Sequence, residues 1–207
     1  MKYIIGKKIR MTQVWNQKGD KVAVTVVRAE PNIATQLKTM DKDGYSAVQL
    51  GIGTGKKMTK PLAGHLTGLR SVRALREVRL NTRHGTRELS VMERGLELTV
   101  DQFEQGDAVV VKSKSKGKGF QGVVRKYGFH GHPKSHGHKD QERMPGSIGS
   151  GGVQKVFKGK RMAGRMGGIS VTTKRLSIVE VHPETNELYV KGAIPGSRGA
   201  SVEIMSE

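Results

Sequence analysis

The chain has no cysteine. That excludes a disulfide framework and any thiolate metal site, and it fits a reducing compartment. Aromatic residues make up 4% and hydrophobic residues only 35%, so part of the 207 residues has little apolar surface to bury. No apolar run approaches the roughly 18 residues that span a bilayer, and no basic amphipathic helix stands out. The apolar stretch within "KYIIGKKIRMTQVW" is too short, and too broken by lysine, for a signal peptide. No internal repeat of fixed period is visible. Acid is also scarce: 18 Asp and Glu face 37 Lys and Arg, for a net charge of +19. A compact state with that charge repels itself, so a polyanionic partner is expected, and nucleic acid fits better than a membrane.

The charge is concentrated. Between Lys112 and Arg175, 16 Lys and Arg stand against Asp140 and Glu142, while the other 143 residues carry a net of only +5. The same tract holds 14 of the 28 glycines, and its apolar residues, such as Phe120, Tyr127, Phe129, Ile148 and Phe157, are isolated rather than periodic. Such a segment cannot offset its ordering entropy by burial. It reads as an arm, not a domain.

The flanks read as strands. "KVAVTVVRAE" (Lys21 to Glu30) alternates and is rich in valine after the turn "NQKGD", and "YSAVQLGIG", "DAVVVK", "LSIVEVH" and "ELYVKGAIPG" share that character. "HPETNE" suggests a hairpin loop. "LRSVRALREVRL" is ambiguous between strand and helical turn, and "LSVMERGLEL" suggests a short helix ended by Gly95. Several antiparallel strands without βαβ alternation predict a mainly β fold, a small closed antiparallel barrel. The first and last portions of the chain would close it, with the arm leaving between two strands.

"GFHGHPKSHGHKDQERMPGSIGS" packs His130, His132, His136 and His138 into nine residues. A zinc site would place its ligands on a Gly-Pro loop among lysines that oppose a dication, without the usual cysteines. A histidine base would need a nucleophile and an orienting carboxylate; Ser135, Ser147 and Asp140 are near in sequence, but no strand-turn-helix elbow surrounds either serine. "GKGFQG" matches the dinucleotide fingerprint, yet Gly128, Gly131 and Pro133 stop any helix within two turns. "GIGTGKK" fails the phosphate-loop spacing, with Lys57 where Ser or Thr would hold magnesium. What remains is the alternation of cations, glycines and occasional aromatics in "KSKSKGKGFQGVVRKYGFHGHPKSHGHK" and "QKVFKGKRMAGRMGG". Glycine permits close backbone approach, Lys and Arg neutralise phosphate, and Phe120, Tyr127, Phe129 and Phe157 can stack on bases. A solvated basic linker, a generic nucleic-acid coat and a histidine- or metal-dependent hydrolase stay open as alternatives.

"SKGKGFQGVVRKYGF", "SHG", "PGSIG" and "FKGKRMAGRMG", in that order, closely resemble the universal L-three family of large-subunit ribosomal proteins in its bacterial form. So do "IIGKKIRMTQVW", "KDGYSAVQLG" and "YVKGAIPG", so the likeness covers essentially the whole chain. The resemblance implies a barrel of translation-protein type with a small α+β insertion and a long irregular basic extension. Residues 1–111 would be the first part of the barrel, with the insertion at about 54–100. Residues 112–169 would be an RNA-penetrating extension and 170–207 the closing strands. The family implies direct binding of large-subunit ribosomal RNA, neighbouring ribosomal proteins, a role in early assembly, and residence in the cytoplasmic ribosome. It implies no enzymatic chemistry, catalytic residue, cofactor, metal, membrane or small-molecule substrate.

The candidate RNA-binding residues are Lys114, Lys116, Lys118, Arg125, Lys126, His130, His132, Lys134, His136, Arg143, Ser147, Lys155, Lys158, Lys160, Arg161 and Arg165. The tip nearest the catalytic RNA would lie around Gly146 to Gly152. Some positions depart from the family pattern. Arg10 stands where glycine is usual, so the first turn is expected to bond RNA or to differ in backbone. Gln141-Glu142 replaces an aromatic-His pair, "GVQKV" after "GSIG" is one residue short, and Ser150 occupies the place of a glutamine that some relatives methylate.

Overall fold

The structure, a computed structural model, describes residues 2–16, 19–55, 57–79 and 92–207. Residues 1–114 and 170–207 form one compact unit and residues 115–169 a second. In chain order the elements are β1 (Tyr3–Trp15), β2 (Lys21–Arg28), β3 (Asn32–Lys38), α1 (Met40–Asp43), β4 (Ala47–Thr54), α2 (Lys60–His65), β5 (Val72–Arg79), β6 (Glu97–Leu98) and β7 (Ala108–Lys114). There follow β8 (Phe120–Gln121), α3 (Val123–Tyr127), β9 (Gly164–Arg165), β10 (Ser170–His182), β11 (Glu187–Lys191) and β12 (Ser201–Ser206).

In the first unit six antiparallel strands close a barrel in the order β1-β12-β7-β10-β11-β2. The alternation in sequence becomes the inside and outside of that barrel. Val109 and Val111 of β7, Leu188 and Val190 of β11, and Val202 and Ile204 of β12 point inward with Ile4 and Ile178, while Lys112 and Lys114 stay in water. A second sheet, β5-β4-β3-β6, packs its own cluster of Ala34, Val48 and Leu50 against Tyr3 and Ile5. β1 thus feeds two cores: Ile4 turns into the barrel and its neighbours turn out, which makes Tyr3 to Gly6 an unbroken buried run. Gly6 is required by that crowding, since a Cβ there would lie 2.6 Å from the Arg28 carbonyl oxygen and 2.8 Å from Val27 Cγ1. The other face of the small sheet buries Ile33, Leu66 and Val72.

Two side-chain amides stand in for a missing strand along β1. Before β2 begins to pair at Lys7, the outer edge of β1 has no backbone partner among the described residues. There the Ile5 N–H donates to Asn32 Oδ1 at 2.8 Å and the Asn32 amide donates back to the Ile5 carbonyl at 3.1 Å. Gln102 treats Tyr3 the same way, with both bonds at 3.0 Å. These buried groups would otherwise be desolvated without compensation.

Several expectations change. A sheet separate from the barrel takes β3 to β6, from Asn32 to Leu98, and strand pairing alone tells its members from those of the barrel. The ambiguous "LRSVRALREVRL" resolves in favour of strand over Val72–Arg79. In "LSVMERGLEL", Leu89 to Val91 lie outside the described residues. The remainder is a turn at Arg94-Gly95 followed by β6 rather than a helix, with Gly95 at φ 97° giving its N–H to the Ala34 carbonyl. Arg10 does not sit in a turn: it is exposed within β1, beside a bulge between Lys8 and Arg10.

The second unit has little regular structure. β8 pairs with β9, and the Lys118 N–H donates to the Met166 carbonyl at 2.9 Å. α3 opens after Gly122 and stops five residues later at Gly128, which takes φ 75°. The glycine pattern that mimicked a dinucleotide site therefore starts a helix and ends it at once. Val123 is the sole buried residue of the unit, and every residue from 143 to 163 is exposed.

Candidate nucleic-acid interface

With no core to shape it, the second unit is shaped by its backbone. Gly131, at φ 74°, lies so close to Glu142 that a Cβ would overlap its carbonyl oxygen, and the next N–H, of His132, donates to that oxygen at 3.0 Å. This draws the histidine loop against the short 3-10 turn at Lys139–Arg143. His136 and Lys139 hold positive φ, of 61° and 41°, a region that non-glycine residues visit rarely. The rings of His132 and His138 stack with centroids 5.7 Å apart. Among the described residues no three His, Asp or Glu side chains converge as a metal site would require. Ser147 is engaged locally, its hydroxyl donating to the Gly149 carbonyl at 2.9 Å.

The candidate residues fall into three groups. Lys116, Lys118, Arg125, Lys126 and Arg165 lie on or beside β8, α3 and β9, where Arg125 donates to Gln121 Oε1 at 3.2 Å. His130, His132, Lys134, His136 and Arg143 belong to the Gly-Pro loop and its closing turn. Here the negative charge at Glu142, which departs from the family pattern, is faced by Lys134 at 3.8 Å. Ser147, Lys155, Lys158, Lys160 and Arg161 lie in the fully exposed stretch. Arg161 reaches back to the first group, with its guanidinium 5.8 Å from the Tyr127 ring centre. Lys114 ends β7 in the first unit and is exposed.

Apolar side chains share this surface. Phe120, Phe157 and Ile169 are each at least 64% exposed, and Met144, Ile148, Val153, Val156 and Met162 are also exposed. Sequence reading named the aromatics and Ile148 and missed Val153, Val156, Ile169 and the methionines, whose only signal was isolation among charges. Monomeric proteins rarely leave so much apolar surface wet beside a dense field of cations, and the combination suits an RNA that offers phosphates and base faces together.

Several titratable groups of the first unit have a shifted proton affinity. Asp107 is held below the usual carboxylate range, first by Lys2 Nζ at 2.8 Å and then by the Glu104 N–H at 2.9 Å. Glu77 is likewise lowered by Lys38 at 2.7 Å, and burial raises the Tyr3 hydroxyl.

The family model of ribosomal protein L3 matches residues 8–194. A large ribosomal subunit protein uL3 of Herpetosiphon aurantiacus is 46% identical over 205 residues, covering 97% of this chain and 94% of the relative. That of Chlorobaculum tepidum is 46% identical over 208 residues, with 98% and 97% covered. That of Bifidobacterium longum is 44% identical over 210 residues, with 99% and 96% covered.

Proposed function

This chain belongs to the ribosomal protein L3 family, and from that membership we propose that it is a structural constituent of the large ribosomal subunit in the cytoplasm, acting by binding and not by catalysis. Its partners are large-subunit ribosomal RNA and neighbouring ribosomal proteins. Residues 112–169 are the RNA-penetrating extension and carry the sixteen candidate residues. The segment around Gly146 to Gly152 approaches the peptidyl-transferase centre, and RNA binding begins early in subunit assembly. The observation that carries this reading is the continuous exposure of residues 143–163 with their cations and apolar side chains.

The physical role follows from charge. RNA segments cannot pack closely without counterions, and a chain threaded between them replaces mobile cations with fixed ones. Release of the mobile ions makes affinity salt-dependent: ~6 phosphate contacts cost about 10³ in affinity between roughly 50 and 200 mM salt on the duplex scale. Phosphate contacts fix position, while RNA shape and 2′-hydroxyls supply specificity.

The test is to titrate the full chain with large-subunit ribosomal RNA and with unrelated folded RNA of equal length, across a salt series. The expected result is a steep salt slope for both and a preference for the ribosomal RNA that survives at high salt. Equal affinity for both at every salt concentration would instead make the chain a generic nucleic-acid coat.

A further inference from the structure

Four cations of the second unit surround one cleft. Lys116, Lys118, Lys126 and Arg165 line a space of about 500 Å³, and none of them has an acidic partner among the described residues. Tyr127, Met166 and Ile169, the last 64% exposed, give the cleft an apolar wall. Lys126 Nζ stands 5.0 Å from the Tyr127 ring centre. The hydroxyl of Ser115, which also lines the cleft, is buried without a hydrogen-bond partner.

An occupant must answer both halves of this lining. A phosphate alone would satisfy the cations and leave Tyr127, Met166 and Ile169 wet. An aliphatic side chain would fill the slot and leave four cations uncompensated. A nucleotide has both parts, a flat base with apolar faces and an anionic backbone. The size also suits, since sites for small molecules occupy about 300–1,000 Å³.

We infer that this cleft receives one unstacked ribonucleotide, its base against Tyr127, Met166 and Ile169 and its flanking phosphates on Lys116, Lys118, Lys126 and Arg165. This rests on the RNA-binding reading and narrows it: most of the second unit meets the RNA backbone, and here a single base leaves its stack and enters the protein. Unpaired nucleotides in loops and bulges are the available source, because extracting a paired base costs stacking and pairing energy.

The experiment probes large-subunit ribosomal RNA bound to the full chain by 2′-hydroxyl acylation and base methylation. The expected result is one unpaired nucleotide that is protected by the unsubstituted chain. Tyr127→Ala and, separately, Ile169→Ala raise its reactivity about fivefold or more, the scale of a lost stacking contact, while the rest of the footprint stays. A retained footprint in which neither variant exposes a nucleotide overturns the cleft and leaves RNA binding standing. Absence of any footprint from the unsubstituted chain overturns both. In a second arm, methyl resonances of Met166 and Ile169 in the full chain are followed during titration with adenosine and uridine monophosphate. They shift with the nucleotides and not with inorganic phosphate at the same concentration. Equal shifts from phosphate alone reduce the cleft to an adventitious ion site and overturn the inference.

Discussion

In the first unit, Ile4, Leu188 and Ile204 are fully buried around a closed barrel, and even stray edge groups of β1 find amide partners in Asn32 and Gln102. In the second, Val123 is buried alone and Phe120, Phe157 and Ile169 face solvent. One region buries most of its apolar side chains internally; the other leaves many cations and apolar groups exposed together. The contrast teaches that stability and recognition are carried by different residues here. A substitution in one region should therefore leave the property of the other unmoved.

The sharpest attempt to break that separation reverses charge in the exposed stretch. Lys158, Lys160 and Arg161 are exposed, and no ion pair engages them among the described residues. Replacing all three by Glu should abolish incorporation into large subunits, seen as loss from the large-subunit peak on a sucrose gradient. The thermal melt of the purified chain should not move. A lowered melting temperature would show that these cations serve the barrel.

The converse pair comes next. Ile204→Ala deletes a fully buried side chain from the barrel and should cost about 2–5 kcal/mol of unfolding free energy. Phe157→Ala removes a ring that is 64% exposed and should leave the melt unchanged. It should instead weaken RNA binding by about 1–3 kcal/mol if the ring stacks on a base. Denaturant titration and RNA binding on the same two proteins check both halves.

Legibility in sequence follows the same divide. "DAVVVK" and "ELYVK" are short apolar runs bounded by charge, so β7 and β11 were legible as strands, whereas the inward choice of Val109 and Val111 over Val110 was not. The loop between β10 and β11 announced itself through "HPETNE", where Asn186 takes φ 55°. The crowding of lysine, arginine and glycine marked the basic tract without any structural knowledge. What period could not show is partner choice: "YSAVQLGIG" reads like "KVAVTVVRAE", yet β4 joins the second sheet while β2 joins the barrel. Nor could it show that Asn32 and Gln102 serve as strand substitutes, because each bonds a residue far away in the chain. The cleft at Lys116 and Arg165 was hidden for that reason too, since its walls come from opposite ends of the second unit.

The strand-substitute amides allow a finer test of the first unit. Asn32→Leu keeps the branched shape of the side chain but strands the N–H and carbonyl of Ile5 in a buried place. Each such group costs about 1–3 kcal/mol when left unpaired, so the loss should approach that of a deleted core side chain. Hydrogen exchange should localise the damage: the Ile5 amide should lose protection first, while amides in the second unit are unaffected.

The smallest expected effect concerns pH, and it too belongs to the first unit alone. Asp107 has its folded carboxyl held below the ordinary range by Lys2 and by the Glu104 N–H. A depressed folded pKa means the unfolded chain binds the proton more readily, so the contribution is present above the unfolded carboxylate pKa and is lost as pH falls through the folded one. Lys2, raised chiefly by its bond to Asp107, contributes below the ordinary lysine range and loses that contribution as pH rises through its folded value. Between those limits both are present. Asp107→Asn should therefore lower the melting temperature near neutrality by a few degrees at most, because the pair is partly solvated. That difference should vanish in acid, where the native carboxylate is itself protonated. RNA affinity measured at neutral pH should be the same in the variant, because the altered contact lies wholly within the unit that supplies stability.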